Sequence, residues 1–218
     1  MKKITAAIFD LDGTLLDSMP YWMSCAEKYL LSSGIEAKPG LSEKLFSMTM
    51  KEGADYLRKN YKVTFSDQEI FSGINSILEK AYKEEIPFKN GAESFLSELK
   101  AAGSKIALCT NTDRILFFPS LVRLNALKYF DYIFTTSEVG MSKSRPDTFF
   151  KVCKEMESRK EDCWVFEDAL YSIKTAFQVG LKTCGIYDET SKADSQQIKA
   201  FSTVYCNNYK EVQNYFFA

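Results

Sequence analysis

The sequence predicts an α/β protein, a doubly wound parallel sheet with a small α-helical domain inserted after its first strand. Three observations carry this. Short apolar runs recur along the chain, and several end directly in charged or hydroxyl residues. From about residue 88 onward these runs alternate with segments of helical spacing, the pattern of a parallel sheet covered on both faces. Between residues 18 and 86 the spacing is helical and no convincing strand occurs.

The elements follow in order. "ITAAIF" (4–9) reads as a short buried strand. "YWMSCAEKYLLSSG" is a helix ending at Gly34, and "LSEKLFSMTMKEGADYLRKNY" is read as one helical segment starting at Ser42. "FSDQEIFSGINSILEKAYKEEI" offers Ser66 or Asp67 as its cap, with Glu69 behind it. "GAESFLSELKAAG" is a helix closed by Gly103, "KIALCT" a strand, and 113–127 a helix that Pro119 starts or kinks. "YIFTT" is a strand and "PDTFFKVCKEME" a helix with Pro146 in its first turn. "CWVFED" and "LKTCGIY" are strands around the helix "LYSIKTAFQVG"; "TVYC" and the helix "YKEVQNYFF" finish the chain. The expected division is a core of 1–16 and 88–218 and a helical domain of 17–87.

Composition narrows the function. The chain has 218 residues, 45% hydrophobic, 26% charged, with net charge −1. That suffices for a sizeable core and gives no electrostatic reason for a nucleic-acid polymer or an acidic membrane as partner. The start "MKKITAAIF" has too short an apolar part for a signal peptide, and Asp10 interrupts it. No stretch is long and apolar enough for a transmembrane helix. The expectation is a cytoplasmic monomer. Its six cysteines form no C-x-x-C pair and read as buried thiols in a reducing compartment. With no histidine present, a Ser-His-Asp triad and a phosphohistidine are excluded, and a zinc site has neither histidines nor ligand pairs. Acid–base work falls to Asp, Glu, Lys, Tyr or Cys.

The residues at the strand ends make a pattern. The first strand runs into Asp10-Leu11-Asp12-Gly13-Thr14, the second into Thr110-Asn111, and the fourth into Glu167-Asp168. A loop after the third holds Lys143. In a parallel sheet all these residues meet at one rim, where ligands of such sheets bind. Crowded carboxylates call for a cation, and Mg²⁺ is the hard oxygen-seeking ion that keeps sites open for water or phosphate. Lys143, Thr110 and Asn111 then suit an anion. A free aspartate can attack a phosphate, and a second aspartate two residues on can protonate the leaving oxygen. Taken alone, D-x-D-G also fits a calcium loop or a capped turn, and Lys143 a surface lysine.

Together these residues resemble the haloacid dehalogenase superfamily. "DLDGT" is similar to its first motif, D-x-D-G-[TV]; Thr110 matches the second; Lys143 with Pro146-Asp147 resembles the third, K-P-x-P-D; "FEDALYSIKTAFQVG" resembles the fourth, E-D-[SA]-x-x-G. The helical insert resembles the C1 cap of the β-phosphoglucomutase-like subfamily. The resemblance implies a Rossmann-like core and a Mg²⁺-dependent reaction. Asp10 is then nucleophile and metal ligand, and Asp12 general acid/base and, through its carbonyl, metal ligand. Thr110, Asn111 and Lys143 bind the phosphoryl group. Asp168 is a metal ligand, and Glu167 one directly or through water. The chain departs from the pattern at Ser144, Arg145 and Ser172, beside the charged groups rather than in place of them. Asp12 argues against a dehalogenase, since the superfamily's dehalogenases lack that acid.

The reaction so implied is hydrolysis of a small phosphate ester: a sugar phosphate, phosphoglycolate or a nucleotide monophosphate, with the cap excluding bulk water. A phosphomutase is the alternative; a non-catalytic binding protein is remote, since Asp10, Asp12 and Lys143 are all present. In the cap region, Tyr21 and Trp22 either line a pocket or pack internally. Met48, Met50 and Lys51 fall where a substrate loop is expected, with core packing the alternative for the two methionines. Met50 stands where β-phosphoglucomutase has a phosphate-binding arginine, with Lys51 next to it. Arg114 either binds substrate or lies on a helix surface. Asp17 and Ser18 are read as the start of the next helix.

Overall fold

The computed structural model describes residues 4–46 and 48–217. In chain order the elements are β1 (Ala6–Phe9), α1 (Met19–Ser32), α2 (Leu41–Phe46), α3 (Met50–Tyr61), α4 (Asp67–Glu84), α5 (Ala92–Ala101), β2 (Lys105–Thr110), α6 (Arg114–Arg123), β3 (Tyr132–Thr135) and α7 (Thr136–Val139). There follow α8 (Pro146–Glu155), β4 (Cys163–Glu167), α9 (Leu170–Gln178), β5 (Lys182–Ile186), α10 (Ser195–Ala200), β6 (Val204–Cys206) and α11 (Tyr209–Phe217). No helix among the described residues is long and apolar enough to cross a membrane. The chain divides into two compact units: Met1–Asp17, Pro87–Arg114 and Leu121–Ala218 in one, Ser18–Ile86 and Ile115–Ser120 in the other.

The first unit holds one six-stranded sheet of order β3-β2-β1-β4-β5-β6, every pair parallel. The α/β prediction holds. β1 is central, pairing Phe9 with Leu108 of β2 and with Phe166 of β4. From β1 the chain builds outward through β2 and β3, then returns to place β4 on the other side. This is the topological switch beside which such sheets bind ligands.

Strand alternation explains the two buried faces. Ala6, Ile8, Ala107, Cys109 and Val165 pack with Phe149 and Val152 of α8 and Ala176 of α9. On the opposite face Phe9 stacks on Phe166 with centroids 4.3 Å apart. Phe95 of α5 meets both rings, and Phe216 of α11 packs against Phe95 and Phe166. Each such side chain contributes about 1.5–3 kcal/mol by burial. Strands covered on both sides read as unbroken apolar runs, which is why they were visible in the sequence.

The helical unit has its own core of Cys25, Tyr29, Leu30, Leu57, Ile70, Ile74 and Leu78. A Cβ on Gly73 would stand 2.3 Å from the Tyr29 ring, so only glycine lets α4 lie this close to α1. One expectation is corrected here. The segment read as one helix from Ser42 is two, because Thr49 caps Glu52 N–H and the Glu52 carboxylate caps Thr49 N–H. That reciprocal cap starts a new helix where the apolar periodicity alone runs on. The Ser66–Glu69 pair makes the same motif at α4, as expected. All six cysteines are buried with free thiols.

Candidate active site

Asp10 follows β1 directly, and its amide extends the ladder by donating to Phe166 O at 3.0 Å. Leu15 and Leu16 then both donate to Leu11 O, and Gly13 takes φ +78° in the tight turn between them. Gly13 is needed twice over: its backbone is left-handed, and a Cβ there would lie 2.6 Å from Asp168 Oδ2.

Three buried carboxylates meet at this rim. Oxygens of Asp10, Glu167 and Asp168 all lie within 4.8 Å of one another. Lys143, also buried, donates to Asp10 Oδ1 and, at 2.7 Å, to Glu167 Oε2. The other Glu167 oxygen accepts from the amides of Asp168 (3.2 Å) and Ala169 (3.1 Å). Asp168 is held by Thr14 Oγ1 at 2.8 Å and Ser191 Oγ at 3.3 Å. Asp12 accepts from Thr112 Oγ1 at 2.6 Å, and Thr112 N–H donates to Thr110 Oγ1 at 3.1 Å. Asn111 Nδ2 donates to the Tyr171 hydroxyl at 2.5 Å.

The electrostatics follow from burial. Burial pushes Asp10 well above the usual carboxylate range; Glu167 adds to this and Lys143 opposes it. Asp168 is pushed up to about 7, first by burial and then by Glu167. Burial works against the Lys143 ammonium, yet Asp10 and Glu167 carry it well above an ordinary lysine. Three carboxylates against one ammonium leave excess negative charge in a buried cup. All donors are oxygens, close enough to share one ion, and a hard divalent cation fits this set. Beneath the cup, burial raises the Cys109 thiol to about 12, so it stays protonated.

The structure thus brings Asp10, Lys143, Glu167 and Asp168 together, and links Asp12 to Thr110 through Thr112. It gives the remaining candidates other partners. The Arg114 guanidinium is taken up by Glu138, at 2.6 and 2.8 Å, and by Ile133 O at 2.9 Å. Within the helical unit, Trp22 Nε1 donates to the Tyr82 hydroxyl at 2.9 Å and its ring packs on the helical core. Tyr21 is half-buried under the Lys28 ammonium. Met50 is 47% exposed, so core packing does not describe it. Lys51 is exposed and paired with Asp67 at 3.0 Å and Asp55 at 3.3 Å.

Of the departures, Ser144 N–H donates to Ser142 Oγ in the loop that carries Lys143, and Arg145 pairs with Asp147 in the first turn of α8. Ser172 Oγ is a buried hydroxyl with no hydrogen-bond partner among the described residues. Sequence reasoning missed Thr112, Ser191 and Tyr171, and it gave Thr14, the last position of the first motif, no partner. Thr112 stands two residues past Thr110, and that nearness was the available signal.

Comparison with known proteins gives the family and the fold. A family model described as haloacid dehalogenase-like hydrolase matches residues 7–186. The chain is 24% identical over 177 residues to a phosphorylated carbohydrates phosphatase of Thermotoga maritima, covering 81% of this chain and 82% of that protein. The fold is similar to that of a candidate β-phosphoglucomutase of Thermotoga maritima, with TM-score 0.84, 22% identity and coverage of 99% and 98%. It is also similar to YfnB of Bacillus subtilis, solved bound to magnesium, with TM-score 0.83, 18% identity and full coverage of both chains.

Proposed function

The chain belongs to the haloacid dehalogenase-like hydrolase family, and on that premise we propose that it is a Mg²⁺-dependent phosphatase of a small phosphorylated metabolite. The observation that carries this reading is Lys143, buried between Asp10 and Glu167 with Asp168 alongside. Such a cup is costly as a structural feature, because burying unbalanced charge opposes folding. It has a use where a phosphoryl group and a divalent cation enter together. The phosphatase name of the relative from Thermotoga maritima supports hydrolysis, and magnesium in the solved YfnB supports the metal.

The chain's own residues then divide the work. Asp10 attacks phosphorus through a carboxylate oxygen; the new O–P bond forms as the bond to the leaving oxygen breaks. Asp12, oriented by Thr112, gives its proton to the leaving oxygen. It then takes a proton from water, which attacks the aspartyl-phosphate and frees inorganic phosphate and Asp10. Lys143, the Thr110 hydroxyl and Asn111 hold the phosphoryl oxygens in place. Asp10, Glu167, Asp168 and the Asp12 carbonyl would hold the metal, which supplies the positive charge that favours the ionised Asp10 and offsets charge on the phosphoryl group. Residues 17–87 are read as the family's cap and 1–16 with 88–218 as its core.

The alternative is a phosphomutase, which needs a second phosphate-binding cation. Met50 supplies none, and the Lys51 ammonium is already shared by Asp55 and Asp67; both weigh toward hydrolysis. The test is phosphate release from a panel of small esters, with Mg²⁺ and with a chelator, following glucose 6-phosphate from β-glucose 1-phosphate. Mg²⁺-dependent free phosphate is expected. Conversion to glucose 6-phosphate with little free phosphate would make the protein a mutase.

A further inference from the structure

β2 and β4 flank β1, the strand that delivers Asp10. Asn111 is the first residue after β2, and Tyr171 the second residue of α9, just past β4. The hydrogen bond between their side chains therefore joins the loop after β2 to the first turn of α9, on either side of the Asp10 strand end. The polar groups below it are closed off: Thr110, Lys143 and Glu167 are each at most 2% exposed. Tyr171, by contrast, is 42% exposed and Asn111 is open to solvent.

The direction of the bond matters. The phenol oxygen accepts from Asn111, so its own hydrogen is left to donate, and among the described residues it has no recorded acceptor. The Asn111 amide likewise keeps a second N–H. Burial holds the phenol above its usual pKa against the pull of Lys143, so at neutral pH it remains a donor. The ring is part exposed, and the hydroxyl reaches back to the residue that follows Thr110.

We propose that Tyr171, locked by Asn111, donates its hydroxyl hydrogen to a phosphoryl oxygen of the bound substrate and so is a further binding residue of the site. This rests on the reading of the site as one for a phosphate ester. The test uses the full chain with Mg²⁺ and compares wild type with Tyr171→Phe, which removes only the hydroxyl. Inorganic phosphate binding is measured by calorimetry, beside KM and kcat on an ester that the wild type hydrolyses. The expected result is phosphate affinity lower by about tenfold or more, the size of a lost hydrogen bond to a charged acceptor. Melting temperature should be unchanged. Phosphate affinity within twofold of wild type would overturn the proposal, as would a wild type that binds no phosphate. A wild type that binds phosphate but hydrolyses no ester would overturn the phosphatase reading alone; the binding comparison would still decide Tyr171.

Discussion

The Thr112 hydroxyl donates to Asp12 Oδ2 at 2.6 Å, joining the loop after β2 to the loop after β1 across 100 positions of sequence. Thr112 is tied in turn to Thr110 through its amide. An acid that must deliver a proton to one leaving oxygen gains from being held in one rotamer. Thr112→Val keeps the shape and removes the bond. It should lower kcat by about tenfold or more, part of the 10²–10⁴ that a positioned acid supplies, and leave KM nearly unchanged. Steady-state kinetics on a hydrolysed ester would check this. A rise in KM at constant kcat would assign Thr112 to substrate binding instead.

On the proposed mechanism Lys143 would have two roles, and one variant separates them. Lys143→Ala removes a donor to the phosphoryl group, which should cost about 3–4 kcal/mol of barrier. It also leaves Asp10 and Glu167 buried without their ammonium, which should destabilise the metal-free protein by roughly 3–5 kcal/mol. Mg²⁺ should recover part of the stability and little of the rate. A loss of activity smaller than tenfold would mean that Lys143 is outside the reacting site.

The raised carboxyls give a pH dependence of definite sign. Asp168 titrates near 7 in the folded metal-free protein, and Asp10 is raised in the same direction. In the unfolded chain both titrate near 4. Between pH 4 and 7 the folded state therefore binds more protons, and its stability falls as pH rises through that window. Cations bind the ionised forms, so Mg²⁺ should raise the melting temperature more at pH 8 than at pH 6. Thermal melts with Mg²⁺ and with a chelator at both pH values would show it. A Mg²⁺ shift that is equal at the two pH values, or larger at pH 6, would contradict the carboxylate cluster as the metal site.

The sheet was legible because its strands are covered on both faces, so each reads as an apolar run, and because the side chains at each strand end are polar. Asp10, Thr110, Glu167 and Asp168 stood out at those strand ends, whereas Lys143, in the loop beyond β3 and α7, stood out only through the motif it resembles. Their supports were not legible. Thr14 and Asp168 are 154 positions apart and Ser191 and Asp168 are 23, and a lone hydroxyl in a sequence does not say which carboxylate it will meet. Arg114 and Lys51 are cations whose availability depends on acidic neighbours placed only by folding, Glu138 for one and Asp55 with Asp67 for the other. The break between α2 and α3 was written in Thr49 and Glu52, a capping pair that helical periodicity hides.

The central claim is that Asp10 is the group that attacks phosphorus. Asp10→Asn tests it most directly, assayed for Mg²⁺-dependent phosphate release beside circular dichroism and a thermal melt. The substitution removes one carboxylate from a crowded cup and leaves Glu167 to hold Lys143, so the fold should survive. The account predicts an intact fold and turnover reduced by several powers of ten, to the background of the assay. An intact Asp10→Asn protein that still releases phosphate at a substantial fraction of the wild-type rate would contradict it.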